Sequence, residues 1–241
     1  MGSLRGLLAG RHASPPLSLD AVLAALGDDG VDSRRRADVP LADVVGTLNR
    51  VGDFDQDFRL TNPALRSRWK DLALAMEAGL DPPPVELIQV GDLYFVVDGH
   101  HRVSVARALG RDTVAARVLR LCTVAYGMCS LRAPHLEVKA AERRFLQRVP
   151  LDVGVRCTLW LDCAGDWLRL ADAAEAWGFR RALRGGAVPD RCELARAWWT
   201  EEVMPVVAAT RAAGLGAGLR DVRVYLDALT AGATHAAEVR A

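Results

Sequence analysis

Apolar positions fall into two regimes along the chain. Between Val39 and Leu119 they come in short, often β-branched runs separated by polar loops, and beyond about residue 130 they recur at helical spacing. Val39 to Val45 reads as a strand, followed by the charge-dense loop Asp53-Phe54-Asp55-Gln56-Asp57-Phe58-Arg59. Leu65, Trp69, Leu72 and Met76 then advance by four, three and four residues, which predicts one face of a helix over about Ala64–Ala78. Gly79 stands where a helix C-cap would, and Pro82-Pro83-Pro84 prevents continuation. Val85–Val90 and Leu93–Val97 flank Gly91-Asp92, a two-residue link of the kind hairpins use. The second run is apolar throughout, so it is expected to be buried on both faces. After Asp98-Gly99 the period becomes helical, with Val103, Ala106 and Leu109 on one side and Gly110 closing the helix, before Thr113–Leu119 reads as a further strand. The expected order is β, loop, α, β, β, turn, α, β.

Residues 1–38 read as a flexible N-terminal segment with one short helix within the apolar stretch Leu17 to Leu26, ending in the run Arg34-Arg35-Arg36. Residues 39–125 form the expected α/β domain and residues 126–241 a mainly helical one. Helices are predicted near Glu137–Arg148, Asp166–Trp177, Arg191–Met204, Pro205–Ala213 and Arg220–Leu229, with Val153–Leu161 as a candidate strand and Pro205 starting or kinking a helix. Five of the six tryptophans lie in this second half, which points to a separately packed unit, with Trp198-Trp199 in its core. Gly214-Leu215-Gly216-Ala217-Gly218 follows a helix rather than a strand, so it reads as a linker and not as a phosphate loop.

Composition narrows the function classes. The chain has 241 residues, 51% hydrophobic, with 31 Lys+Arg against 30 Asp+Glu. It is globular, and its net charge of +1 supplies no long-range attraction for nucleic acid, so DNA is not the favoured partner. The five cysteines form no CxxC pair and match no zinc spacing. His12, His135 and His235 have no neighbours at ligand spacing, and the Arg143, Arg144 and Arg148 group is interleaved with Glu137 and Glu142 as on a solvated helix face. No stretch reads as a signal peptide or membrane span, and a reducing cytoplasm is the expected location.

One constellation carries chemistry: Asp98-Gly99-His100-His101-Arg102, where a buried strand gives way to a helix. Unpaired backbone N–H groups and the helix dipole favour an anion there. Gly99 lets a phosphate oxygen approach the main chain, and Arg102 adds a planar donor fork. His100 and His101 leave the turn in different directions, one able to face a ligand as donor or proton carrier while the other supports it. Asp98 can cap the helix or hold a metal ion, and Ser104 lies one turn further along.

The stretch Val39 to Leu119 resembles the ParB/sulfiredoxin superfamily, above all in Tyr94-Phe95-Val96-Val97-Asp98-Gly99-His100-His101-Arg102 and in Ala106 to Gly110. The likeness covers about a third of the chain. It implies a small mixed-sheet α/β domain that binds a nucleotide, followed here by a mainly helical domain. Chromosome-partitioning members carry Gly-Glu-Arg-Arg at this turn, so two histidines replace a glutamate and an arginine. Sulfiredoxins place a reactive cysteine where His100 stands, and no cysteine occurs before Cys122, which removes that reductase chemistry. The Asp-Gly-His-His-Arg form is similar to that of free serine kinases, in which an acidic residue in the loop before the first long helix serves as base. Asp53, Asp55 and Asp57 occupy the comparable loop, and the base is expected near Asp55.

The resemblance implies a phosphotransferase or nucleotide hydrolase. Gly99, His100, His101, Arg102 and Ser104 would hold the phosphates of ATP, ADP or CTP, with Asp98, His101 and Asp55 as catalytic groups, Asp98 as ligand to Mg²⁺, and a small hydroxyl compound as acceptor. The alternative is a nucleotide-gated DNA-binding or regulatory protein, for which no helix-turn-helix is evident after residue 120. A homodimer is compatible with either.

Overall fold

The computed structural model describes residues 14–184 and 190–238, with side chains through 232. It divides into two compact units, Met1–Leu136 and Glu137–Ala241, a boundary beyond the expected one at 125/126. Residues 1–13, including His12, and the side chain of His235 lie outside the described residues.

The first unit is a six-stranded mixed sheet with helices. Its elements are β1 (Leu17–Ser18), α1 (Leu19–Leu26), β2 (Asp28–Pro40), β3 (Val44–Thr47), α2 (Arg66–Glu77), β4 (Val85–Val90), β5 (Leu93–Asp98), α3 (His100–Ala108) and β6 (Thr113–Thr123). The strand order is β1-β3-β5-β4-β6-β2. β5 runs parallel to β3 and antiparallel to β4, while β6 runs parallel to β4 and antiparallel to β2. This places β5 in the interior of the sheet, which explains its uninterrupted apolar sequence: Leu93, Tyr94, Phe95 and Val96 are buried and the chain reaches solvent at Asp98. The hairpin turn Gly91-Asp92 is set by Gly91, whose φ is +60° and whose Cβ position lies 2.3 Å from the Gly127 carbonyl oxygen.

The N-terminal stretch differs from its expectation. The expected short helix is there, Leu19–Leu26 capped by Ser18, but in place of a flexible remainder Asp28–Pro40 is a 13-residue edge strand paired with β6 from Asp28↔Thr123 to Pro40↔Thr113. The strand carries no apolar alternation because nearly all its residues are exposed, and the backbone ladder rather than side-chain burial holds it. The predicted strand from Val39 to Val45 is interrupted: Val39 and Pro40 end β2, Leu41–Asp43 makes a 3₁₀ turn, and β3 follows.

One core of this unit joins Val39, Leu41, Val44, Phe54, Phe58, Trp69, Met76, Leu87, Val96, Val103 and Val118, so the loop between β3 and α2 is anchored by its two phenylalanines. Burying each such side chain fully contributes roughly 1.5–3 kcal/mol. The loop is therefore a fixed wall beside α3.

The second unit is helical: α4 (Leu136–Arg148, its first residue closing the first unit), α5 (Val153–Arg156), α6 (Ala164–Leu183), α7 (Arg191–Trp198), α8 (Met204–Ala212) and α9 (Asp221–Glu238). The candidate strand at Val153–Leu161 is instead the short α5 and turns. Trp198 and Trp199 are buried, and Trp198 meets Phe145 and Tyr225 edge-on. Between α7 and α8 the chain continues as a π-helical turn, Trp199–Val203. Pro205 has no N–H to give an α-helical bond, and Trp198 and Val203, both fully buried, lie five residues apart with Trp199 also buried beside Trp198, before the spacing returns to four at Val207. Among the described residues no helix is long and apolar enough to cross a membrane.

Candidate functional site

Gly99 is the hinge between β5 and α3. It takes φ +93° and ψ 22°, and a Cβ there would lie 2.6 Å from Val85 Cγ1 and 3.0 Å from Arg102 Cζ. A side chain is excluded on both grounds. The first intrahelical bond, from the Val103 N–H to the Gly99 carbonyl, spans 3.0 Å, so the N–H groups of His100, His101 and Arg102 precede the helical ladder.

His100 is buried against Phe54, with ring centroids 6.0 Å apart and planes nearly parallel. Its Nε2 lies 2.6 Å from Thr47 Oγ1 at the end of β3. Thr47 Oγ1 also accepts from the N–H groups of Asn49 and Arg50, fixing the start of the loop. Burial, reinforced by Arg50, lowers the His100 pKa to about 4, against the opposing pull of Asp98 and Asp53. His100 is thus a neutral supporting imidazole.

His101 meets the same Phe54 ring edge-on at 5.6 Å. Both of its ring nitrogens are buried and have no hydrogen-bond partner. Burial, then Arg68 and Arg50, push its pKa down, so it too is biased towards neutrality. A neutral imidazole with donor and acceptor both unpaired is a costly arrangement inside a protein.

Arg102 does not extend its fork into open space. Nη1 donates to the carbonyls of Pro83 (2.6 Å) and Pro84 (2.9 Å), and Nη2 donates to Asp98 Oδ2 at 2.5 Å. The cause lies in Pro82-Pro83-Pro84, whose irregular carbonyls need donors that regular structure does not supply. Asp98 is largely exposed and held by this ion pair. The expected phosphate fork is in the first place a clamp on the β5–α3 turn.

Asp55 is engaged by its own loop. It is buried, and its Oδ1 accepts from the N–H groups of Asp57 (2.9 Å) and Arg59 (2.8 Å), organising the loop from within. Asp57 is exposed and paired with Arg59. The loop carboxylate that acts electrostatically on His100 and His101 is Asp53, which accepts from Arg50 at 3.1 Å and Asn62 at 2.8 Å. Ser104 is buried, and its hydroxyl oxygen accepts from Trp69 Nε1 at 2.8 Å. It lines a cavity of about 320 Å³ together with Asp57, Phe58, Arg59, Trp69, Arg107 and Ala108. Arg107 crosses the Phe58 ring and donates to the carbonyls of Leu41 and Val44.

The structure therefore brings Gly99, His100 and His101 together with Thr47, Arg50, Asp53, Phe54 and the field of Arg68. It separates Asp55 and Ser104 into supporting positions. Among the described residues no three His, Cys, Asp or Glu side chains form a group able to hold a metal ion.

No protein-family profile matches this chain, and no curated protein does. Among solved structures it is similar to sulfiredoxin from Arabidopsis thaliana, at 21% identity over 36% of this chain and 88% of that one, with a TM-score of 0.28.

Proposed function

We propose that the chain binds the phosphates of a nucleotide at the first turn of α3 and transfers phosphate to a small hydroxyl-bearing acceptor. The observation that carries this reading is His101: its two unpartnered ring nitrogens stand in the turn where three helix-opening N–H groups gather. A phosphate oxygen would accept from the imidazole N–H and from the main chain together. Arg68 and Arg50 supply positive charge around the turn. Arg68 has no ion pair among the described residues and Arg50 is shared with Asp53. Arg102 serves this site as a positioning residue, and Asp53 replaces Asp55 as the acidic group that orients or deprotonates the acceptor. Positioning with charge neutralisation supplies most of what phosphoryl transfer requires.

Isothermal calorimetry with ATP, ADP and CTP, in the presence of Mg²⁺, tests the reading. Adenosine-nucleotide binding that weakens about tenfold or more in His101→Ala and Arg68→Ala is the expected result. Binding of CTP alone would move the assignment to a nucleotide-gated regulator. Absence of binding by the folded wild type would overturn it.

A further inference from the structure

The cavity of about 320 Å³ in the first unit has a built wall of its own. Ser104, Arg107 and Ala108 stand three and four residues apart on α3 and form one stripe lining it, with Trp69 of α2 and Phe58 of the β3–α2 loop as further walls. Its volume lies at the lower end of the range of small-molecule sites, roughly 300–1,000 Å³. Arg107 is half-buried and makes no ion pair among the described residues. Both N–H groups of its Nη2 are occupied by the carbonyls of Leu41 (2.5 Å) and Val44 (2.6 Å), while Nε and Nη1 donate to no group among the described residues. Its guanidinium carbon lies 5.1 Å from the centre of the Phe58 ring. Phe58 has a φ of +59°, the one positive value outside glycine among the described residues, so the loop is held in a strained bend that keeps this ring against Arg107. Ser104 is buried and accepts from Trp69 Nε1, and its own hydroxyl proton has no acceptor among the described residues.

We infer that this cavity binds a small monocarboxylate with an apolar body, the carboxylate meeting Arg107 and the Ser104 hydroxyl and the body lying against Trp69, Phe58 and Ala108. A half-buried guanidinium with three idle donors calls for a planar acceptor with two oxygens, and a carboxylate matches it fork to fork. The charges around it set the valence of the ligand. Burial pushes the Arg107 pKa down, against the opposing pull of Asp57 and Asp55. Arg59 is paired with Asp57 at 3.2 Å, and Asp55 is turned into the N–H groups of its own loop, so Arg107 has about one unit of charge to offer. A single negative charge suits it, whereas the second charge of a phosphate would face Asp57 and Asp55 unopposed. The aromatic walls favour an apolar body over a second polar group. This site uses none of Gly99, His101 or Arg68 and does not depend on the nucleotide reading of the α3 turn.

Ligand-observed NMR titration of the full chain with benzoate and phenylacetate, without nucleotide, tests the inference. The wild type is expected to bind both with a Kd of about 1 mM or tighter. Benzamide, of the same shape without the charge, and inorganic phosphate are expected to bind at least about tenfold more weakly. Arg107→Gln removes the charged fork. Ala108→Leu fills the cavity and leaves every polar group in place, so it reads occupancy apart from any loss of the Arg107 bonds to Leu41 and Val44. Each variant is expected to weaken benzoate binding about tenfold or more, with folding confirmed separately by circular dichroism. Absence of carboxylate binding up to about 10 mM by the folded wild type overturns the inference, as does binding unchanged in either folded variant. Benzamide bound as tightly as benzoate overturns the role of the guanidinium, and phosphate bound as tightly overturns the preference for a single charge.

Discussion

Thr47 Oγ1 and His100 Nε2 lie 2.6 Å apart, joining the end of β3 to the first residue of α3 across 53 positions of sequence. The contact is buried, so the two groups have no substitute partner in water. Thr47→Val keeps the shape and removes the hydroxyl, leaving the imidazole nitrogen unsatisfied. The expected loss is about 1–3 kcal/mol in urea-induced unfolding, with most of it recovered in Thr47→Ser.

The neutrality of His100 gives the fold an acid limit. Its folded-state pKa is about 4 while that of the free side chain is 6.5. Between those values the unfolded chain carries a proton that the folded chain refuses. Stability is therefore undiminished above pH 6.5 and falls as pH drops towards 4, by roughly 3 kcal/mol for this group. Burial shifts His101 the same way and steepens the decline. Denaturant unfolding across this pH range is expected to show a flatter profile in His100→Gln than in the wild type.

Arg102 is expected to matter more to stability than a surface arginine does. Its guanidinium reaches two proline carbonyls and one carboxylate, a pattern that one ammonium group does not reproduce. Arg102→Ala should cost about 2–3 kcal/mol by chemical denaturation, and Arg102→Lys should recover less than half of that. An alanine variant of wild-type stability would show that the clamp is not formed in solution.

At Gly99, alanine must adopt a left-handed backbone and crowd Val85. The expected cost for Gly99→Ala is about 2–4 kcal/mol in thermal or urea unfolding. Gly110→Ala, which also has a positive φ but open space around its Cβ, should cost less.

How much of this was legible in sequence follows from how local each cause is. The helix at Leu65 to Met76, the hairpin around Gly91-Asp92 and the turn at Gly99 each carry their signal within a few residues. β2 does not, because an edge strand with both faces wet has no apolar period to read. Thr47, Arg50 and Phe54 entered the site only through the fold, since nothing near them in sequence announces two histidines some fifty residues away. For Asp55 and Arg102 the sequence shows the residue type but not its bonding. A carboxylate in a loop and an arginine at a helix start have the residue types that chemistry needs, yet nearby backbone N–H and C=O groups claim them first.

The wide turn at Trp199–Val203 bears on how the helical unit tolerates change in length. Its extra residue is the one that throws Trp198 and Val203 five apart while both remain in the core. Removing a single residue there would close the turn into ordinary α-helix and restore a four-residue step, leaving α8 facing the interior as before. Anywhere else along α7 or α8 the same deletion would rotate the apolar stripe by about 100° and carry it towards solvent. The segment thus acts as an expansion joint, the one place in this helical run where chain length and core register are uncoupled.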